Sequence, residues 1–261
     1  MGRFEEQEIE AVYRAIRERR DMRHFLPTPV DPDILLRLLQ AANHAPSVGL
    51  MQPWRFVRIT DMALRTKLHG LVDEERIKTA RALNEREDEF MALKVEGIMQ
   101  CGEVLVASLM DGRERHIFGR RTLPEMDLAS VSCAIQNMWL AARAEGIGLG
   151  WVSIFDPLKL ATLLDMPEGA KPIAILCIGH VEEFYAKPML ELEGWAKSAS
   201  IEGLVSENSW NGMGTEDLTG KKPPSGQTGG EITDDKNDGK ESDGSGTIKG
   251  TTTPVKTETS T

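Results

Sequence analysis

Arg19-Arg20-Asp21-Met22-Arg23 is the most informative stretch of this chain. Its arginines form a concentrated site for an anion, because a guanidinium is always charged and its forked donors match a phosphate. Asp21 is unexpected in such a site, since a carboxylate repels the anion that the arginines attract. We therefore interpret Asp21 as a candidate for chemistry. The alternative, an ion pair with neighbouring arginines on a solvated face, is equally compatible with the spacing.

The sequence around this cluster predicts two helices, a loop and a strand. Apolar residues at helical spacing predict an amphipathic helix over residues 5–20, with the arginine cluster at its end. Asp31-Pro32-Asp33 favours the start of a second helix, because a capping aspartate precedes a proline, and this helix ends at Ala45-Pro46. Ser47 to Met51 then forms a loop, and Trp54 to Ile59 forms a strand.

The rest of the pattern combines strands with long helices. Residues 62–100 are charged and largely helical, and they form either a solvated helix pair or a mobile cover over a site. We expect a buried strand over Cys101 to Leu109 and a long helix over Leu128 to Glu145. Further strands are expected at Gly148 to Ile154 and at Ile173 to Ile178. Few strands among long helices indicate an α+β fold with a central sheet.

Charge and hydropathy argue against several classes of function. The chain has 261 residues and a formal net charge of −10, whereas nucleic-acid binding requires a basic surface. No apolar run reaches the length of about 18 residues that a membrane helix needs. The charged residues 1–10 lack the apolar segment of a secretory signal. A cytoplasmic protein without nucleic-acid or membrane partners is therefore expected.

The cysteines and the end of the chain each carry a prediction. Cys101, Cys133 and Cys177 have apolar neighbours and no paired spacing, so we expect buried, reduced thiols. The histidines are scattered, and no metal site is predicted. Residues 211–261 lack aromatic side chains and have few aliphatic ones, which predicts disorder. The expected organisation is one folded domain over residues 1–210 followed by this tail.

Three motifs in order carry a resemblance to a known family. They are Arg-Arg-Asp-x-Arg at residues 19–23, Ala-Pro-Ser-x-x-x-x-Gln-Pro-Trp at 45–54, and Gly-x-Gly-Trp-Val-Ser-Ile-Phe at 148–155. Together they make the chain similar to the nitroreductase-like flavoproteins and, within them, to the 5,6-dimethylbenzimidazole synthases. The resemblance covers residues 8–208 and leaves the tail outside.

The resemblance implies an α+β fold with a mostly antiparallel central sheet flanked by helices, and an intertwined homodimer with FMN at its interface. The arginine cluster then lies at the FMN phosphate and ribityl chain. A contact of Lys197 with the phosphate stays open, because many relatives carry an Arg one residue later, where this chain has Ser198. Asp21 stands where a Ser is common, and Leu50 stands where typical nitroreductases have an Asn that contacts the flavin ring. The implied FMN-binding residues are Arg19, Arg20, Asp21, Met22, Arg23, Ser47 and Ser153.

The reaction that the resemblance implies consumes the flavin. Reduced FMN and O2 give 5,6-dimethylbenzimidazole, the lower ligand of cobalamin, and erythrose 4-phosphate, without a metal. The family gives catalytic weight to an Asp and a Ser, which fall on Asp21 and Ser153. A carboxylate beside the ribityl chain can act as a general base, and a hydroxyl can hydrogen-bond the flavin edge. Because no Gly-x-Gly-x-x-Gly follows a strand, a separate flavin reductase is expected to supply reduced FMN.

Two other functions stay open at this point. An NAD(P)H-dependent nitroreductase or flavin reductase would share the fold and keep FMN as a prosthetic group, although Asp21 and Leu50 fit it less well. A flavin-binding or carrier module without chemistry is excluded by no motif. Consumption of the flavin during turnover separates the first function from both alternatives.

Overall fold

The computed structural model describes residues 2–201, 204–206 and 208–210. Within residues 1–198, four strands form one sheet with the spatial order β1-β2-β4-β3, and each neighbouring pair is antiparallel. The α+β fold with a central antiparallel sheet is therefore confirmed. The strands are β1 (Trp54–Arg58), β2 (Glu103–Leu109), β3 (Gly148–Val152) and β4 (Lys171–Gly179).

Three of the helices begin at an aspartate whose side chain caps the first turn. Asp31 accepts a hydrogen bond from the Asp33 N–H at 2.8 Å, as its position before Pro32 predicts. Asp61 caps the long helix that follows β1 in the same way, through the Ala63 N–H at 2.7 Å. The helices are α1 (Glu6–Glu18), α2 (Pro32–Asn43), α3 (Met62–Ala82), α4 (Glu87–Ala92), α5 (Met126–Ala144), α6 (Pro157–Leu163) and α7 (Met189–Leu192).

The sheet separates two apolar cores. The central strands β2 and β4 are buried on both faces, so their side chains alternate between the cores. On one face, α2 and α5 pack through residues such as Leu38 and Ile135. On the other face, α3 and α6 pack through residues such as Leu68 and Leu160. In the resulting three layers β3 is an edge strand, and the arginine cluster runs along its outer edge.

Three predictions need correction. Helix α6 was missed, although Asp156 before Pro157 repeats the capping pattern used for α2 and accepts from the Leu158 N–H at 2.8 Å. The helical prediction over 62–100 holds only as far as Ala92. Cys133 is exposed, whereas Cys101 and Cys177 are buried as predicted. The reason is that Cys133 lies on α5 away from the face that packs on the sheet.

The predicted disordered tail, residues 211–261, lies outside the described residues. The division of the chain into a folded domain and a tail therefore stays a prediction.

Candidate active site

A cavity of about 550 Å³ opens beside the β3 edge. This volume lies within the range of about 300–1,000 Å³ that is typical of small-molecule sites. Its polar wall comes from the end of α1 and the arginine cluster, and its apolar wall comes from residues near α4 and α7. The lining residues are Ile16, Arg17, Arg19, Arg20, Asp21, Arg23, Phe90, Leu93, Val95, Trp151, Val152, Ser153, Ile154, Pro188, Met189, Leu190 and Trp195.

The arginine cluster is held in place as an added element at the sheet edge. α1 ends at Glu18, and the chain then runs extended beside β3. The Met22 N–H donates to the Leu149 carbonyl at 3.1 Å, and Asp21 forms an isolated parallel bridge with Leu149. The Met22 side chain is buried in the core, so it does not line the cavity. Burying this side chain turns its neighbours Asp21 and Arg23 toward the cavity.

The two glycines of the third motif make this close approach possible. A β-carbon on Gly150 would collide with the Met22 carbonyl oxygen, and one on Gly148 would lie 3.2 Å from Met22 Cγ and 2.5 Å from Val181 Cγ1. Only a residue without a side chain leaves room for the backbone of the cluster here. The first motif, at residues 19–23, and the third motif, at residues 148–155, therefore pack directly against each other.

Asp21 accepts three hydrogen bonds in a fixed geometry. Arg23 Nη1 donates to Oδ1 at 2.7 Å and Arg23 Nη2 donates to Oδ2 at 2.5 Å. The Trp151 N–H donates to Oδ1 at 2.8 Å, and Arg23 Nη2 also donates to the Trp151 carbonyl at 2.9 Å. The solvated ion pair considered from sequence is thus replaced by a bidentate pair anchored to the β3 backbone.

Burial raises the pKa of the Asp21 carboxyl above its ordinary value. Arg23, the Trp151 N–H and Arg19 each lower the pKa, but together they do not cancel the loss of hydration. The Asp21 side chain keeps 42% of its surface accessible. Because that surface lines a cavity within the protein, it is hydrated less than a carboxylate on the outer surface. A carboxyl with a raised pKa beside a cavity is suited to proton transfer.

Arg19 and Arg20 place two positive charges in the wall of the cavity. The Arg19 guanidinium lies 4.6 Å from the Trp139 ring centroid and donates no hydrogen bond to the described residues. Burial lowers the pKa of Arg19, Asp21 raises it and Arg20 lowers it, yet an arginine stays charged. Arg20 Nε is buried without a hydrogen-bond partner in the described part of the chain. The Arg19 guanidinium, which lines the cavity, therefore has donors available to a bound anion.

Arg20 also ties the cluster to the far wall of the cavity. Its Nη2 donates to the Ala186 carbonyl at 3.0 Å. Tyr185 adds to this link, because its hydroxyl oxygen accepts from the Arg23 N–H at 3.2 Å and lies 2.7 Å from His24 Nδ1. No motif pointed to Tyr185, which lies far from the cluster along the chain.

Ser153 lies at the mouth of the cavity, two residues beyond Trp151. It is exposed, and its Oγ makes no hydrogen bond to the residues that the structure describes. Its hydroxyl is therefore available as a donor or acceptor to a bound molecule. The structure brings Ser153 and Asp21, the two predicted catalytic residues, to the same cavity.

Ser47 and Leu50 do not line the cavity. Ser47 Oγ accepts from the Gln52 N–H at 3.0 Å and so closes the loop of the second motif. Backbone strain is concentrated in this loop, because Leu50 and Gln52 both have positive φ angles, 53° and 48°. Leu50 is 81% exposed. The Leu50 side chain therefore points into solvent, and neither Leu50 nor Ser47 faces the cavity of its own chain.

The apolar wall of the cavity was predicted only in outline. Phe90, Leu93 and Val95 come from the region whose alternative interpretation was a cover over a site. Trp195 packs against Phe90 with 6.0 Å between ring centroids, and the Arg86 guanidinium lies 3.5 Å from the Trp195 ring centroid. This wall suits a flat aromatic ligand.

Lys197 is exposed and is not among the residues that line the cavity. Among the described residues, no group of three or more His, Cys, Asp or Glu side chains is placed to hold a metal ion. None of the helices in the described ranges is long and apolar enough to cross a membrane.

Comparison with known proteins identifies the family. Residues 16–180 match the nitroreductase family. The chain is 42% identical over 183 residues to 5,6-dimethylbenzimidazole synthase of Rhodospirillum rubrum, covering 68% of this chain and 85% of that protein. It is 36% identical over 201 residues to 5,6-dimethylbenzimidazole synthase of Rhodobacter capsulatus, covering 76% and 97%. The chain therefore belongs to the nitroreductase family, within the group that includes the 5,6-dimethylbenzimidazole synthases.

The fold comparison agrees with this assignment. The structure is similar to that of nitroreductase A from Vibrio parahaemolyticus, with a TM-score of 0.58 and 21% identity over 80% of each chain. The resemblance drawn from the three motifs is thus confirmed. The prediction of an enzyme among the nitroreductase-like oxidoreductases is confirmed with it.

Proposed function

We propose that this enzyme converts reduced FMN and O2 into 5,6-dimethylbenzimidazole and erythrose 4-phosphate, consuming the flavin as substrate. The observation that carries the proposal is Asp21, a carboxyl with a raised pKa in a cavity whose other lining residues are arginines, apolar residues and Ser153. A site built only to retain a flavin phosphate would have no use for a carboxylate there. The relatives named 5,6-dimethylbenzimidazole synthase support the same product.

The residues of the cavity fit FMN. Arg19, whose guanidinium has no hydrogen-bond acceptor among the described residues, would hold the phosphate, with the charge of Arg20 beside it in the cavity wall. The apolar wall, with Trp151 and Trp195, would accept the isoalloxazine ring. The chemistry that FMN supplies is the reaction of its reduced ring with O2.

The protein then contributes position and proton transfer. Asp21, as a carboxylate, would accept a proton from the bound substrate as the general base. Ser153 Oγ would hydrogen-bond the flavin edge, since it has no described partner within the protein. The cavity walls would exclude bulk water from these steps.

A homodimer belongs to the proposal. α1 has no buried residue in this chain, and it exposes Val12, Tyr13 and Ile16. The loop that carries Leu50 also points outward, beside Phe118, which is 84% exposed. Exposed apolar surfaces of this kind mark interaction sites. A second copy would cover them and bring its Ser47 loop to the flavin, which sedimentation analysis of the purified protein tests.

The source of electrons and the compartment are also proposed. The cavity lies in a fold that has no Gly-x-Gly-x-x-Gly after any strand in the printed sequence. We expect a separate reductase to supply reduced FMN in the cytoplasm. Turnover with NADH and this protein alone, without added reductase or reduced flavin, would contradict that expectation.

The decisive test is product analysis. Purified protein is mixed with chemically reduced FMN in air, and the small molecules are separated by chromatography with mass detection. The proposal expects the mass of 5,6-dimethylbenzimidazole to rise as FMN falls. Recovery of intact, reoxidised FMN would instead favour the nitroreductase function, for which the similarity to nitroreductase A is the specific observation.

A further inference from the structure

The Arg19 guanidinium donates no hydrogen bond to the described residues, whereas the terminal nitrogens of Arg20 donate to the Arg17, Arg19 and Ala186 carbonyls at 2.7, 2.8 and 3.0 Å. Arg23 instead forms an ion pair with Asp21. Nη1 donates to Asp21 Oδ1 at 2.7 Å and to the Met22 carbonyl at 3.4 Å. Nη2 donates to Asp21 Oδ2 at 2.5 Å and to the Trp151 carbonyl at 2.9 Å. The four N–H groups on the two terminal nitrogens thus each have an acceptor inside the protein. The guanidinium is also buried, with 10% of the side chain accessible.

Asp21 and Arg23 together engage both backbone polar groups of one residue, Trp151. The Trp151 N–H donates to Asp21, and the Trp151 carbonyl accepts from Arg23. The pair is therefore fixed in position and direction against the β3 edge. To reach a phosphate, Arg23 would have to leave Asp21 and the Trp151 carbonyl without their donors, which is costly for buried groups.

We propose that Arg23 is a positioning residue that holds the Asp21 carboxylate toward the cavity, and that it is not a ligand of the flavin phosphate. This inference rests on the proposed function and deepens it. It separates the arginines into different roles, with the Arg19 guanidinium available to the anion and Arg23 committed to the base. The resemblance placed all three at the FMN phosphate and ribityl chain without distinguishing them.

The bond count shows what this arrangement leaves for catalysis. A carboxylate has about four acceptor positions, and Asp21 uses three of them for Arg23 and the Trp151 N–H. One acceptor position of the Asp21 carboxylate stays unused. Because the Asp21 side chain lines the cavity, this position is where Asp21 can accept a proton from the substrate. Loss of Arg23 would free the carboxylate to rotate away from that direction.

The charges around Asp21 determine how a change at Arg23 should alter the pH dependence of the product rate. The charged groups lining the cavity with it are Arg17, Arg19, Arg20 and Arg23, and Arg17 is paired with Glu10 at 2.5 Å. The lining residues near α4, from β3 and from α7 are uncharged. Arg23 is the nearest cation and lowers the pKa of Asp21. Weakening their bidentate contact would therefore raise that pKa further.

The experiment compares Arg23→Lys with Arg19→Gln, using binding of oxidised FMN and of riboflavin, which lacks the phosphate. For Arg23→Lys we expect no change in the ratio of FMN affinity to riboflavin affinity. We expect the rate of product formation to fall by about 100-fold, and the acidic limb of the pH–rate profile to move to higher pH. For Arg19→Gln we expect the ratio of FMN affinity to riboflavin affinity to fall by about tenfold or more. The acidic limb of the pH–rate profile should not move. The matched control is Arg58→Lys, which alters another bidentate pair, with Glu103, away from the cavity.

Either of two results would overturn the inference: a fall in the affinity ratio for Arg23→Lys as large as that for Arg19→Gln, or an unmoved acidic limb. If Arg23→Lys does not fold, the double variant Asp21→Asn/Arg23→Gln is used instead, because it removes both charges and leaves no buried charge unpaired. This double variant is expected to keep the wild-type ratio of FMN affinity to riboflavin affinity. A lower ratio would assign Arg23 to the phosphate. If the wild type makes no dimethylbenzimidazole, the proposed function fails, whereas the affinity ratios still decide the role of Arg23.

Discussion

Gly150 lies so close to Met22 that a β-carbon at position 150 would collide with the Met22 carbonyl oxygen. The same β-carbon would lie 2.7 Å from Arg23 Nη1. The missing side chain thus lets the arginine cluster run beside β3 and places Asp21 within reach of the Trp151 N–H. Two motifs that are far apart in sequence serve one contact.

Substitution Gly150→Ala tests this contact. The added methyl group must push the segment 19–23 away from β3, because the atoms it meets are backbone and a guanidinium already in use. We expect a loss of stability of about 1–3 kcal/mol, as for other overpacked sites. We also expect weaker FMN binding, since the displaced segment carries Arg19 and Arg20. Thermal unfolding and flavin fluorescence titration measure the two effects.

Gly70→Ala is the control for that substitution. Gly70 lies in α3, and a β-carbon there meets no atom within 4 Å. Alanine in an exposed helix interior is more stable than glycine by about 0.5–1 kcal/mol. Equal losses of stability in both variants would contradict the close-approach explanation.

Asp21→Asn separates binding from chemistry. Asparagine has nearly the same shape, but it cannot take up a proton as a base. We expect FMN affinity within about threefold of the wild type and a product rate lower by about 100-fold or more, the usual contribution of a general base. Chromatographic product analysis and flavin titration measure these. The helix cap Asp31→Asn serves as the control, because asparagine caps a helix equally well; a normal rate for Asp21→Asn would exclude the base role.

The rate of product formation is expected to depend on pH through Asp21. The active form is the carboxylate, so the rate falls as pH drops through the pKa of Asp21. Burial raises that pKa, and the acidic limb should therefore lie above the value of about 3.9 for an ordinary aspartate. The pH dependence of kcat/KM measures the limb. A limb at or below the ordinary value would contradict the raised pKa.

Ser153→Ala tests the free hydroxyl at the cavity mouth. Because Ser153 is exposed and its Oγ has no partner among the described residues, stability should change by less than about 0.5 kcal/mol. Loss of one hydrogen bond to the flavin predicts a product rate lower by about tenfold. Ser132→Ala, which removes a hydroxyl bound to the Leu128 carbonyl on α5, is the control for rate. An unchanged rate for Ser153→Ala would assign that serine no part in the reaction.

Local pattern was sufficient for most of the elements. The capping pair Asp31-Pro32 marked the start of α2, and apolar runs marked β2 and β4, because strands buried on both faces are continuously apolar. α6 carries the same Asp-Pro signal at 156–157 and was missed because the helix is short, Pro157–Leu163. The burial of a single side chain was less predictable. Cys133 has apolar neighbours in sequence, but its face of α5 turns away from the sheet.

The sequence by itself determined the family, the α+β fold and the candidates Asp21 and Ser153, because motifs and periodicity are local properties of the chain. Only the tertiary structure decided which hydrogen-bond acceptors each arginine of the cluster meets. Hydrogen-bond partners such as the Trp151 peptide and the Ala186 carbonyl come from distant parts of the chain, and no local pattern encodes them. Which guanidinium stays free for an anion depends on which acceptors folding brings to the others.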